Sequence, residues 1–132
     1  MQVIRARVLG FCMGVRRAVD MAGEAARQAS GPVYTMGPLI HNPQVMETLR
    51  QAGVEALDEG TLPADLHGAA VIIRAHGITP ALERELERRG ARIVDATCKR
   101  VKASQMRARA LSAAGAAVFL AGEKNHGEII GV

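Results

Sequence analysis

Short apolar runs alternate with amphipathic stretches along this chain, with Gly or Pro at most of the joints, and this constrains its fold more than any other feature. Residues 2–9 (QVIRARVL) read as a strand with partial alternation. Residues 14–30 place Val15, Ala18, Val19, Ala22 and Ala26 on one helical stripe, which Gly31 and Pro32 end. VYTM at 33–36 reads as a short strand. Asn42 followed by Pro43 is an N-cap and first-turn pair, opening a helix that Gly53 closes. AAVIIR at 69–74 is almost continuously apolar, as in a strand buried on both faces. Thr79 and Pro80 open a further helix that Gly90 closes, and RIVD at 92–95 is the next strand. A helix over about 99–114 stops at Gly115, and AAVFLA at 116–121 reads as another buried strand.

Strand and helix in repeated alternation imply an α/β fold with a mainly parallel sheet. A fresh unit begins at residues 96–98, which divides the chain into a first α/β unit over 1–97 and an incomplete second over 98–132. The second unit opens and breaks off after GEKNHGEIIGV, so the sequence reads as truncated at its C-terminus.

Composition narrows the function classes. Apolar residues are 48% and charged residues 23% of the 132, the balance of a soluble globular protein. With one Tyr, two Phe and no Trp, the core must be aliphatic, and the aromatic platforms that single-strand binders stack bases on are missing. The net charge of +4 therefore does not read as a nucleic-acid partner. Two cysteines exclude a disulfide-stapled secreted scaffold. The N-terminus carries no secretory signal, and the longest apolar run, at 113–122, is about half of what a membrane span needs. The expectation is a cytoplasmic protein with no membrane partner.

The chemistry-bearing residues fall at one kind of place. Cys12 follows the first expected strand, His41 the second, His76 the AVIIR strand, Cys98 the RIVD strand and His126 the AVFLA strand; only His67 precedes one. In an open α/β sheet that carboxyl edge is where ligands bind, beside helix N-termini that attract anions. Cys12 lies between Gly10 and Gly14 in a loop opening a helix, where the helix dipole with Arg16 and Arg17 favours the thiolate. Cys98 occupies an equivalent spot, with Thr97 or Asp95 as candidate N-cap. His126 and Glu128 form an imidazole–carboxyl pair suited to proton delivery once the chain bends there. The charge-rich helices read as solvated faces.

GFCMGVRRA, GPLIHNPQVMETLRQAGV, IIRAHGITP, DATC and NHGEIIG occur here in one order, and together they resemble the N-terminal portion of the IspH/LytB family of 4-hydroxy-3-methylbut-2-enyl diphosphate reductases. The resemblance runs over essentially the whole chain. It implies three similar α/β units in a trefoil-like arrangement around a 4Fe-4S cluster held by three cysteines, with this chain giving the first unit and part of the second. It implies reductive dehydroxylation of an allylic diphosphate in the non-mevalonate route to isoprenoids, with electrons from a ferredoxin- or flavodoxin-like donor. By position, Cys12 and Cys98 match the first two cluster ligands, His41, His76 and His126 the diphosphate-holding histidines, and Glu128 the proton-delivering acid. A third cysteine has no counterpart, and Lys99 stands where a proline is usual. The resemblance thus implies an incomplete site, so the isolated chain is expected to be inactive and to self-associate along an apolar edge strand at 116–121. Two rival readings use the same residues: a non-redox zinc module with a Cys2His2 set of Cys12, His76, Cys98 and His126, or an anion-binding domain without redox activity.

Overall fold

The computed structural model describes residues 1–7, 9–124 and 126–132. In chain order its regular elements are α1 (Met13–Gln28), β1 (Val33–Met36), α2 (Pro43–Gln51), β2 (Val54–Leu57), β3 (Ala70–Ile73), α3 (Pro80–Arg88), β4 (Arg92–Asp95), α4 (Lys99–Ala113) and the short α5 (Gly127–Ile130), with a 3-10 turn at Glu59–Thr61. The four strands form one wholly parallel sheet in the order β2-β1-β3-β4. The expected α/β fold is what the chain adopts.

Pleating sends alternate side chains to opposite faces of the sheet. Val33, Ala70 and Ile72 pack with Ala18, Ala22 and Ala25 of α1 and Leu49 of α2. Met36 and Val71 pack on the other face with Leu82 and Leu86 of α3. The result is three layers, α1 and α2, then sheet, then α3. All four residues of β3 are buried, as its unbroken apolar run requires. The small side chains of α1 let it lie close on the sheet. The turn before β1 is closer still: a Cβ at Gly31 would collide with the Gly68 carbonyl oxygen.

Local signals set the helix starts. Asn42 accepts a hydrogen bond from the Val45 N–H at 3.1 Å, and Thr79 accepts one from the Leu82 N–H at 3.2 Å, each followed by proline at the first helical position.

Three expectations need correction. Residues 2–7 and 9 are exposed and outside the sheet, so the strand expected at 2–9 does not form in the described residues; Val8 lies outside them. Residues 116–121 are likewise exposed and irregular, so the strand expected there, and the edge pairing built on it, find no support. Conversely, VEAL at 54–57 forms the edge strand β2, which its residue pattern scarcely signals: Val54 is buried while Glu55 and Ala56 are exposed.

Candidate functional site

The chain leaves β1 through α2 on one face and reaches β2, then returns to the far side of β1 as β3 and continues through α3 on the other face. The connections after β1 and β3 therefore part at the carboxyl edge, the kind of crevice in which open α/β sheets bind ligands. His41 lies on the first of these connections and His76 on the second. Their rings are stacked, with centroids 6.4 Å apart. His126, the N-cap of α5, closes the group, its ring 5.3 Å from that of His76.

The turn carrying His76 is tightly made. The Arg74 carbonyl accepts from the Gly77 N–H at 2.9 Å, and Gly77 takes a φ of +80°, which a side chain would strain. Gly127 lets α5 approach: a Cβ there would lie 3.1 Å from the His76 Cβ. His126 Nδ1 accepts from the Glu128 N–H at 3.4 Å, so a neutral His126 carries its proton on Nε2. This bend brings His126 and Glu128 to the same ligand edge. His67 stands apart, paired with Asp65 at 2.6 Å on the exposed surface before β3.

Burial holds the His76 imidazole below its ordinary pKa; Glu128 pulls the other way, and the charges of His126, Arg74 and His41 reinforce the burial. The unfolded chain thus takes up a proton near pH 6.5 that the folded chain accepts only at lower pH. Stability from this group is complete above about pH 6.5 and is lost as pH falls through the folded value. His76→Asn should flatten the fall of the urea midpoint between about pH 7 and about pH 5. An unaltered slope would assign that fall to other groups.

The two cysteines are free and cap helices, Cys12 for α1 and Cys98 for α4, neither bonding its own first turn through the side chain. Cys12 is exposed and Cys98 half-buried. They come from opposite ends of the described fold, and α1 brings them together. A Cβ on Gly14, two residues after Cys12, would lie 2.9 Å from the Cys98 Sγ. Arg17, one turn further along, donates to the Thr97 carbonyl at 3.1 Å and the Asp95 carbonyl at 3.3 Å. Asp95 accepts in turn from the Thr97 N–H at 3.0 Å and from Lys102 at 2.9 Å. Burial raises the Asp95 pKa, but these bonds outweigh it and hold the carboxyl below its usual value. Finally, the Cys98 N–H donates to the Ala75 carbonyl at 2.9 Å, tying the thiol loop to the residue before His76. Thiols and histidines share one edge through the backbone.

Several of these roles differ from the sequence expectation. Neither Thr97 nor Asp95 caps α4; Cys98 does, while Asp95 braces the turn. Arg17 is no solvated charge but a clamp on backbone carbonyls. Arg74 has no sign in the sequence as a site residue, and Gly14 and Arg17, read there only as neighbours of Cys12, prove to act on the Cys98 side of the site. Lys99, where proline is usual, is the first helical residue of α4 and exposed, a position that takes either residue. Among the described residues no three His, Cys, Asp or Glu side chains are gathered to hold a metal ion, so the Cys2His2 zinc set does not assemble.

The LytB protein family model matches residues 3–132. The chain belongs to the LytB family. Among its LytB relatives, the 4-hydroxy-3-methylbut-2-enyl diphosphate reductase of Treponema denticola is 51% identical, the match covering 100% of this chain and 47% of that protein. The reductase of Aquifex aeolicus is 44% identical over 98% of this chain and 44% of its own length. A solved structure of (E)-4-hydroxy-3-methyl-but-2-enyl diphosphate reductase superposes with a TM-score of 0.85 at 44% identity, covering 98% of this chain and 45% of that one. The Plasmodium falciparum reductase structure gives 0.84 at 29% identity. The chain thus spans less than half the length of these LytB relatives. No helix among the described residues is long and apolar enough to cross a membrane.

Proposed function

We propose that this chain forms the diphosphate-binding portion, and two of the cluster ligands, of a cytoplasmic 4-hydroxy-3-methylbut-2-enyl diphosphate reductase. Residues 1–97 would be its first α/β unit and 98–132 the start of its second, in a trefoil-like arrangement of three. The observation that carries the reading is the meeting of His41, His76 and His126, from three separate segments, on the edge that also holds two free thiols.

The donor set fits. Thiolates are the usual ligands of iron–sulfur clusters, and Cys12 and Cys98 would hold two corners of a 4Fe-4S group, while the third cysteine that the resemblance implies has no counterpart among these 132 residues. When bound, such a cluster supplies electrons, delivered by a ferredoxin- or flavodoxin-like donor, and Lewis acidity at the carbon–oxygen bond. The chain's own residues do the rest. The histidines donate N–H groups to the diphosphate and fix the allylic alcohol in one orientation. Glu128 delivers the proton that lets the hydroxyl depart as water. Overall the substrate takes up two electrons and two protons, loses water, and leaves as isopentenyl or dimethylallyl diphosphate.

A chimera tests this directly: the present sequence replacing the matching 47% of the Treponema denticola relative. Anaerobic reconstitution should give a brown protein containing iron and sulfide that reduces the allylic diphosphate. A folded, colourless chimera without reductase activity would overturn the assignment.

A further inference from the structure

Arg74 follows β3 and stands two residues before His76, yet the roles above leave it unused. We propose that Arg74 is a fourth anion-binding group of the histidine cluster, holding the diphosphate with a charge that does not depend on pH. This rests on the diphosphate reading above.

Its guanidinium reaches both loops that flank the histidines. A Cβ on Gly37, after β1, would lie 3.2 Å from Nη1, and one on Gly127, beside His126, would lie 3.5 Å from Nη2. Glycine at both positions makes the room. The Arg74 Nε is buried and has no hydrogen-bond partner among the described residues. Four other arginines are matched, Arg50 with Glu47, Arg88 and Arg89 with Glu85, and Arg17 with two carbonyls, and among the described residues only Arg74 keeps a buried side-chain nitrogen without a partner. A buried guanidinium Nε–H without a partner is costly, and an anion docked on it removes that cost.

The electrostatics of the cluster call for such a group. With His76 held below its ordinary pKa, the central imidazole of the cluster offers a donor but little charge at neutral pH, whereas a diphosphate is a polyanion. Arginine stays protonated throughout, and its planar fork matches phosphate oxygens. The surroundings also set the side of approach. Asp58 and Glu59, at the end of β2, line a cavity of about 390 Å³ beyond Arg74, with Ile78 and Leu82 of the α3 side. Those carboxylates repel an anion, so it meets Arg74 from the side of His41, His76 and His126. Glu128 is the one acid acting on His76 there.

The test is calorimetric titration of inorganic pyrophosphate into the full 132-residue chain at about pH 6 and about pH 8, with Arg74→Gln, Arg74→Lys and His126→Ala alongside. Arg74→Gln should weaken binding by about tenfold or more at the higher pH. The loss should shrink at the lower pH, where His76 begins to take up a proton and supplies part of the missing charge. Arg74→Lys should recover part of the affinity, since it keeps the charge without the fork. In the parent chain, the Arg74 Nε–H resonance should shift as pyrophosphate is added. Unchanged affinity in Arg74→Gln, or a loss of the same size at both pH values, would overturn the proposal. Should that variant not fold, an unmoved Nε–H signal at saturating pyrophosphate would overturn it instead. His126→Ala separates the two readings: if it weakens binding while Arg74→Gln does not, only Arg74 is wrong. If the parent itself takes up no pyrophosphate, the histidine reading falls as well.

Discussion

Glu128→Gln in the reconstituted chimera should cut turnover by a factor of about 100 to 10,000 while the allylic diphosphate still binds. Glutamine keeps the shape of the side chain and leaves the backbone bond from residue 128 to His126 Nδ1 in place. It cannot deliver a proton. In the proposed reading diphosphate is held by other groups, so binding should suffer only through His76, whose protonation Glu128 favours. That secondary effect has a sign: the variant's affinity should depend on somewhat lower pH to reach its maximum. Single-turnover product formation and equilibrium binding on the same sample separate the two effects. Full turnover in Glu128→Gln would remove Glu128 from the proton path.

Gly14→Ala should reduce the iron affinity of the same protein by about 10- to 100-fold, the usual penalty for disturbing the support of a metal ligand. The added methyl would sit 2.9 Å from the Cys98 Sγ and 3.2 Å from its Cβ, so the thiol has to swing out of its present direction. Stability should change little. Alanine inside a helix is favoured over glycine by about 0.5–1 kcal/mol, which offsets part of the local crowding. The signature is therefore a protein that unfolds near the parent's urea midpoint but retains little iron. Full iron content in this variant would show that the Cys98 thiol points elsewhere when the cluster is held.

The sheet was legible in the sequence where burial was two-sided or capping was explicit. AVII could scarcely be anything but a central strand, and Asn42-Pro43 and Thr79-Pro80 announce their helices in the backbone chemistry they satisfy. The failures share one cause. Strand preference is packing against neighbours, not a property of a residue run. QVIRARVL and AAVFLA carry suitable residues, but their described positions pack against no strand. VEAL has an unremarkable pattern and becomes a strand because β1 lies beside it, in register from Val33 opposite Val54 to Met36 opposite Leu57. The site was visible for a different reason: only two Cys and four His occur, so their spacing stood out, and His41, His76 and Cys98 do follow β1, β3 and β4, whereas the strands read before Cys12 and His126 do not form in the described residues. What supports them was not visible. The bonds from Arg17 to the Thr97 and Asp95 carbonyls depend on how α1 docks, and no local pattern encodes a docking angle.

That clamp also fixes an order of events during synthesis. Arg17 and its acceptor Thr97 are 80 residues apart, so Cys12 leaves the ribosome long before the loop that will face it exists. Throughout that interval its exposed thiol has no Cys98 nearby and is open to oxidants and stray metals. Only after β4 has joined β3 does the Cys98 loop acquire its anchor on Ala75 and its brace from Arg17. On the proposed cluster reading, iron delivered before β4 emerges would meet one thiol, and iron delivered afterwards would meet two. The nascent chain thus has a vulnerable period set by topology, and its length scales with the time taken to translate from α1 to α4.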